Sequence, residues 1–352
     1  MNLRERLMTV LRGGTADRIP WNVYGWLPPP GEALEALCRK GLSLMGTQRI
    51  FKPIYEGVAI QREERMIGGV PHYTTRVETP YGTLTEESRL ETNYGSTWIR
   101  KYMITGVEDY AAAEYFFTHT RFEPDFEPWR QADRAMGERG IVVGEIMPIP
   151  IMTLIVSYMG VEGMAEGVYH YPEQFETLLR ALDAHYDRQI QLAAESPAEV
   201  IWFGDNVTAA FISPRLFQRY CEPVYARVMP VMRQAGKIPI AHYDGSNRPL
   251  LQALKRTDLP VIEAFTPPPW GDLSVAEAKA AWSDKVIWVN FPGALFLEPA
   301  EVIYDYALKL IEEGAPGGRF VLGCTEDFPL EQFEKTFTAI GKALAAYEGF
   351  DW

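Results

Sequence analysis

Along the second half of the chain, short apolar runs alternate with stretches of helical period, and each run stops at a polar residue. Ile141-Val142-Val143-Gly144 meets Glu145, and Val200-Ile201-Trp202-Phe203-Gly204 meets Asp205 and Asn206. Ile238-Pro239-Ile240-Ala241 meets His242 and Asp244, and Leu259-Pro260-Val261-Ile262 meets Glu263. Val286-Ile287-Trp288-Val289 ends at Asn290, and Phe320-Val321-Leu322-Gly323 at Cys324. Runs this short, rich in β-branched and aromatic residues, read as parallel strands buried on both faces. Strand–helix alternation with polar tips predicts a (β/α)8 TIM barrel, which assembles its active site at the C-terminal ends of its strands. Apolar strands need no polar tips for stability, so the tips become candidates for function.

The rest of the pattern fills in around this frame. Asn2 to Leu11 has helical period, with Leu3, Leu7, Val10 and Leu11 on one side, and Gly13-Gly14 ends it. Asp17-Arg18-Ile19-Pro20-Trp21 leads into the first extended run. Residues 70–103 read as an antiparallel hairpin excursion, with a turn at Pro80-Tyr81-Gly82 and a second return at Asn93-Tyr94-Gly95-Ser96. Ala113-Glu114-Tyr115-Phe116-Phe117 reads as a further strand. Helices are expected at 127–136, 172–194, from Ser213-Pro214 to Gly236 with an interruption at Pro223, and at 274–281, 298–313 and 330–347. No linker or repeat divides the chain, so residues 1–352 are expected to form one barrel domain.

Composition narrows the function. Hydrophobic residues make up 47% and charged residues 23%, enough apolar mass for a large core, and the net charge of −13 disfavours nucleic acid or an anionic membrane as partner. No apolar stretch reads as long enough to span a bilayer, and the N-terminus lacks a secretory signal pattern. Three cysteines cannot form a disulfide framework and suit a cytoplasmic protein.

Among the tips, Ile240-Ala241-His242-Tyr243-Asp244-Gly245 carries the most chemistry. His242 and Asp244 share strand phase, so either both face the barrel mouth or they form a structural pair capping the next helix. Cys324 ends the last strand; imidazole, carboxylate and thiolate from His242, Asp244 and Cys324 would make an open zinc site. Asp205 and Asn206 offer a carboxylate and an amide, as substrate ligands or as turn caps. Glu145 is a candidate acid, while Glu263 and Asn290 would line the mouth with the aromatic residues Trp21 and Tyr24. No phosphate loop, serine nucleophile elbow or dinucleotide fingerprint is present.

With these residues in view, the chain resembles the uroporphyrinogen decarboxylase superfamily. The resemblance rests on Arg4-Glu5-Arg6-Leu7 through Asp17-Arg18-Ile19-Pro20-Trp21, on Gly204-Asp205-Asn206, on Ser213-Pro214-Arg215-Leu216-Phe217 and on His242-Tyr243-Asp244-Gly245. Authentic decarboxylases carry an arginine-rich segment after the first strand, where this chain has Tyr24-Gly25-Trp26-Leu27-Pro28. The branch of cobamide-dependent methyltransferases binds zinc through His-x-Cys and a distant cysteine. His242 and Cys324 match the outer ligands of that pattern, with Asp244 in place of the middle cysteine.

The resemblance therefore implies a zinc-dependent methyltransferase that moves methyl between a small substrate, such as a methoxy compound, and cobalamin on a separate corrinoid protein. Glu145, Asp205 and Asn206 would act on the substrate, and pairing of two copies is also implied. The alternatives from other classes are a metal-free decarboxylase-like lyase and a non-catalytic tetrapyrrole- or corrinoid-binding protein.

Overall fold

In a computed structural model describing residues 1–91 and 96–352, the polar-tipped runs are strands of a closed, all-parallel barrel. Its eight strands are β1 (Trp21–Tyr24), β2 (Leu42–Arg49), β3 (Gly140–Ile146), β4 (Val200–Phe203), β5 (Ile238–His242), β6 (Val261–Phe265), β7 (Val286–Asn290) and β8 (Phe320–Cys324). They follow one another around the barrel in chain order, and β8 closes on β1 through the register Asn22↔Gly323 and Val23↔Cys324. The six runs singled out by pattern are β3 to β8. The expected barrel is the observed one.

β2 carried no signal because only its first half is apolar; Gly46-Thr47-Gln48-Arg49 reads as loop. Pairing supplies what pattern lacks, with Trp21↔Leu42 on one side and Leu44↔Gly140 on the other. Gly140 is required there, since a Cβ would fall 1.8 Å from the Leu44 carbonyl oxygen.

The chain divides into two compact units. The first comprises Met1–Arg49, Phe126–Glu145 and Ser196–Trp352 and contains the barrel. One residue of each inward pair, among them Met45, Ile141, Val143, Val200, Ile240, Val261, Val286, Trp288 and Val321, fills its interior. Helix α1 (Leu3–Leu11) adds Leu7, Met8, Val10 and Leu11 to that same cluster and so closes one end of the barrel. Nine residues are too few for a helix to persist in water. A reciprocal cap between Asn2 and Glu5 starts α1, and burial of its four apolar side chains, at roughly 1.5–3 kcal/mol each before entropy, holds it. The helical segment from Ser213 breaks into Pro214–Tyr220 and Glu222–Gln234, at the point where Pro223 cannot donate back into the preceding turn.

The second unit comprises Ile50–Asp125 and Ile146–Glu195. It holds a four-stranded antiparallel sheet, Ala59–Ile67, Val70–Thr79, Gly82–Leu90 and Thr97–Lys101, and a two-stranded pair, Phe51–Tyr55 with Thr120–Pro124. The hairpin at Pro80-Tyr81 is as expected, but the sheet begins at Ala59 rather than near residue 70. Ala59–Ile67 is exposed along nearly its whole length and shows no period-two apolar pattern, so nothing in its sequence marks it as a strand. The return proposed at Asn93-Tyr94-Gly95 lies outside the described residues.

Two expectations are corrected in this unit. Ala113–Phe117 is part of a helix, Tyr110–Thr118, whose Ala113, Phe116 and Phe117 are buried at helical spacing; five residues were too short a window to separate the two periods. The segment Pro150–His170 is long and apolar enough to cross a membrane by composition, contrary to the sequence reading. Over half of it is buried within the fold, however, and it packs against helix Pro172–Glu195 as a core element.

Candidate functional site

Strand phase decides which tips face the barrel interior. Counting in twos from the core residues, the inward positions at the strand ends are Arg49, Glu145, Trp202, His242, Glu263, Asn290 and, just beyond β8, Thr325. Tyr24 is already a member of the interior cluster. Trp21, Asp205 and Cys324 are out of phase and face the surrounding helices.

At the centre stands the carboxylate of Glu263, fully buried. It accepts a hydrogen bond from the Tyr24 hydroxyl at 2.7 Å, from the Trp202 indole at 3.0 Å and from His242 Nδ1 at 3.0 Å. The Tyr24 oxygen also lies 3.2 Å from that Nδ1. Three donors on one buried carboxylate fix the imidazole ring and leave Nε2 pointing outward, 3.8 Å from Asp244 Oδ2. Burial alone lowers the pKa of His242, but the charge of Glu263 and hydrogen bonds to Asp244 and Glu263 outweigh it and raise the value to about 10. Burial likewise opposes ionisation of Asp244, yet the bond to His242 holds its carboxyl below the usual range. At neutral pH the site therefore presents an imidazolium N–H toward Asp244 at the strand ends.

The backbone is shaped around this carboxylate. β6 breaks register with β7 between Ile262 and Phe265, and Ala264, next to Glu263, sits at φ +58°. A left-handed alanine directly after a buried acid marks a bulge that re-aims the strand end.

Around this centre, Trp26 lies against Tyr24 at a tilt of 33° with ring centroids 4.5 Å apart, and about half of it is exposed. Asn290 accepts from the Thr325 backbone N–H at 2.9 Å, and the Thr325 side chain stands beside the Tyr24 hydroxyl. Glu326 accepts from the Gly293 N–H at 2.6 Å and interacts electrostatically with His242 and Asp244. Glu145 occupies an inward position of the same ring, where its partner is Arg49 at 4.0 Å.

Of the residues chosen from sequence, the structure thus brings together Tyr24, His242, Asp244, Glu263 and Asn290. Trp21 is elsewhere: it packs between Phe337 and Trp352 as part of the helix-facing core. Asp205 is fully buried on the outer side, accepting from Tyr225 at 2.6 Å, and Tyr225 in turn accepts from Tyr243 at 2.9 Å. Its neighbour Asn206, at φ +48°, forms the turn that follows. Replacement of Asp205 by alanine is expected to cost about 1.5–3 kcal/mol of stability, measured by urea denaturation, while turnover stays within a few-fold of the parent. A selective loss of turnover with unchanged stability would return Asp205 to the site.

Trp202 and Glu326 were not chosen from sequence, whereas Trp26 was expected near the mouth as part of an aromatic pocket with Trp21 and Tyr24.

The donor set does not fit zinc as the sequence implied. A catalytic zinc ion needs three protein ligands. His242 and Asp244 supply two, but Cys324 pairs with Val23 on the opposite face of the sheet. Gly323 establishes this: a Cβ there would meet the interior Trp288 indole at 2.5 Å, so the next residue points away. Among the described residues no three His, Cys, Asp or Glu side chains stand together as a metal-holding group. Burial raises the Cys324 thiol well above its ordinary pKa, as for a cysteine packed in the apolar core. Cys324→Ser is expected to leave activity within about twofold and to cost about 1–3 kcal/mol for burying a hydroxyl. Loss of activity together with bound zinc in that variant would place the thiol in the site after all.

Comparison with known proteins adds the following. The sequence profile of the uroporphyrinogen decarboxylase (URO-D) family matches residues 102–344. A methyltransferase from Methanosarcina mazei is similar in structure, with a TM-score of 0.60 at 14% identity, covering 99% of each chain. At that identity the likeness concerns the fold. A protein from Anabaena variabilis named as a sugar phosphate isomerase/epimerase gives a TM-score of 0.35 at 12% identity, over 69% of this chain and 83% of that one, too distant to carry an argument. No curated protein matches the chain.

Proposed function

The chain belongs to the uroporphyrinogen decarboxylase family, and from that premise we propose that it is a methyltransferase. In this reading it takes methyl from a small methoxy compound and passes it to a corrinoid carried by a separate protein. The observation that carries the proposal is His242: a protonated imidazole, held by Glu263 and Tyr24, with Trp202 donating to the same Glu263 carboxylate and Nε2 facing Asp244. Breaking a methyl–oxygen bond leaves charge on oxygen, and a positioned acid there supports the step by roughly 10²–10⁴-fold. A reduced corrinoid, when present, supplies the nucleophile for the methyl carbon. His242 supplies the proton for the departing oxygen. α1 occupies the other end of the barrel, which leaves the strand ends as the side where a carrier protein can approach.

The fold likeness to the Methanosarcina mazei methyltransferase supports this branch of the family. A polycarboxylate substrate suits the mouth poorly. Glu145, Asp244, Glu263 and Glu326 stand there against Arg49 and His242, and the loop after β1 offers Trp26 where a decarboxylase offers arginine. An uncharged planar substrate, stacked on the exposed face of Trp26, fits better. All three cysteines are buried free thiols, in keeping with a cytoplasmic location.

The test is to incubate the purified protein with chemically reduced cobalamin and a set of methoxybenzenes, following methylcobalamin by absorbance and the demethylated product by chromatography. Both products are expected to appear together. Conversion of a porphyrinogen without corrinoid would favour the lyase. Binding of methoxy compounds or corrinoid without any turnover would leave a non-catalytic binding protein.

A further inference from the structure

The chain carries a net charge of −13, yet around one cavity at the closed end of the barrel the balance runs the other way. This open cavity, of about 670 Å³, lies between the start of α1 and the segments that lead into β1, β2 and β3. Five cationic side chains line it against three carboxylates. Two of the cations are neutralised: Arg6 pairs with Asp17 at 2.8 Å and Arg139 faces Glu35 at 3.6 Å. The other three are Arg18, Arg39 and Lys40, and among the described residues no carboxylate forms an ion pair with any of them.

Two of these three are nonetheless held in place. Arg18 Cζ lies 3.9 Å from the centre of the Phe350 ring, and Lys40 Nζ lies 4.4 Å from that of Trp352. The Trp352 ring is itself seated. It meets Trp21 edge-on with centroids 6.1 Å apart, and a Cβ on Gly341 would fall 1.9 Å from it. An aromatic face positions a cation without cancelling its charge. The C-terminal end of helix Glu32–Arg39 favours positive charge at Arg39 and Lys40. Arg18 owes nothing to that helix, since it comes from the segment before β1.

We propose that this cavity binds a small multivalent oxyanion, with Arg18, Arg39 and Lys40 as its ligands. Cations gathered around one cavity without counter-charges repel one another, and an anion among them relieves that repulsion. A guanidinium meets phosphate or carboxylate through two parallel N–H···O bonds, and the ammonium adds a point charge. The arrangement therefore selects two or more linked anionic groups. A single carboxylate would meet one exposed cation at a time, a contact that contributes little. The cavity is at the end of the barrel opposite His242, so its occupancy needs neither methyl donor nor carrier protein, and the proposal stands apart from the activity proposed above.

The test is isothermal titration calorimetry on the full chain at low ionic strength. Pyrophosphate and tricarballylate are the two multivalent probes, and acetate is the monovalent control. Saturable one-site binding of at least one multivalent probe is expected, with no heat from acetate beyond dilution. Pyrophosphate alone would assign phosphate chemistry to the site, tricarballylate alone carboxylate chemistry, and both together selection by charge. Arg18→Gln and Lys40→Gln, each checked for folding by circular dichroism, are expected to weaken binding about tenfold or more. Lys255→Gln removes an exposed cation outside the cavity and should leave affinity within about twofold. Absence of saturable binding by both probes overturns the proposal. So does binding that the two cavity variants leave unchanged, or that Lys255→Gln weakens as much as they do.

Discussion

Replacing Glu263 by glutamine is expected to bring the pKa of His242 from about 10 down to the neighbourhood of its ordinary 6.5. Burial is the largest influence on this imidazole and lowers its pKa; the Glu263 charge is the largest influence that raises it. Glutamine keeps an acceptor for Tyr24 and Trp202 but removes the charge. The sign of its effect on stability follows from linkage. In the folded parent the value lies above that of the unfolded chain, so the stabilisation is complete below about pH 6.5 and is lost as pH rises toward 10. Thermal denaturation of the parent should fall across that window, and the variant should be flat there. The alkaline limb of the methyl-transfer rate should move down with the imidazole. An unchanged alkaline limb would mean that His242 is not the acid.

Replacing His242 by alanine is expected to have two separable consequences. Glu263 would remain fully buried with Tyr24 and Trp202 but without a cation, which costs about 3–5 kcal/mol. The proton donor would also be gone, lowering methyl transfer by about 10²–10⁴-fold. The double variant His242→Ala with Glu263→Gln separates them: its stability should recover most of the loss while activity stays absent. Guanidinium denaturation and the cobalamin assay measure the two arms. If the double variant is no more stable than His242→Ala, the charge pair does not hold this part of the barrel together. If His242→Ala turns over normally, the proposed chemistry is wrong.

How much of this was legible in the chain differs by residue. Strands β3 to β8 announce themselves because both faces of a parallel barrel strand are buried, and Glu263 and His242 stand out as polar residues ending such runs. What pattern could not supply was phase. A strand tip faces inward or outward by the parity of one residue, and Asp205 and Cys324 fall on the wrong side of it. Parity could have been counted from Trp202 and Trp288, but only once it was known which of two alternating apolar sets fills the interior, and in strands apolar on both faces the sequence does not say. The expected third zinc ligand, Cys324, is lost to the site for this reason: His242 and Asp244 share a side at the end of β5, and Cys324 at the end of β8 does not. β2 and Ala59–Ile67 were missed for a different cause, being held by neighbouring strands rather than by their own composition.

Helix α1, lodged in the floor of the barrel, has a kinetic consequence. With that end stoppered, whatever reaches His242 has to enter and leave at the strand ends. On the function proposed above, spent donor and incoming acceptor then share one end, so the demethylated product should inhibit most strongly at low concentrations of the carrier.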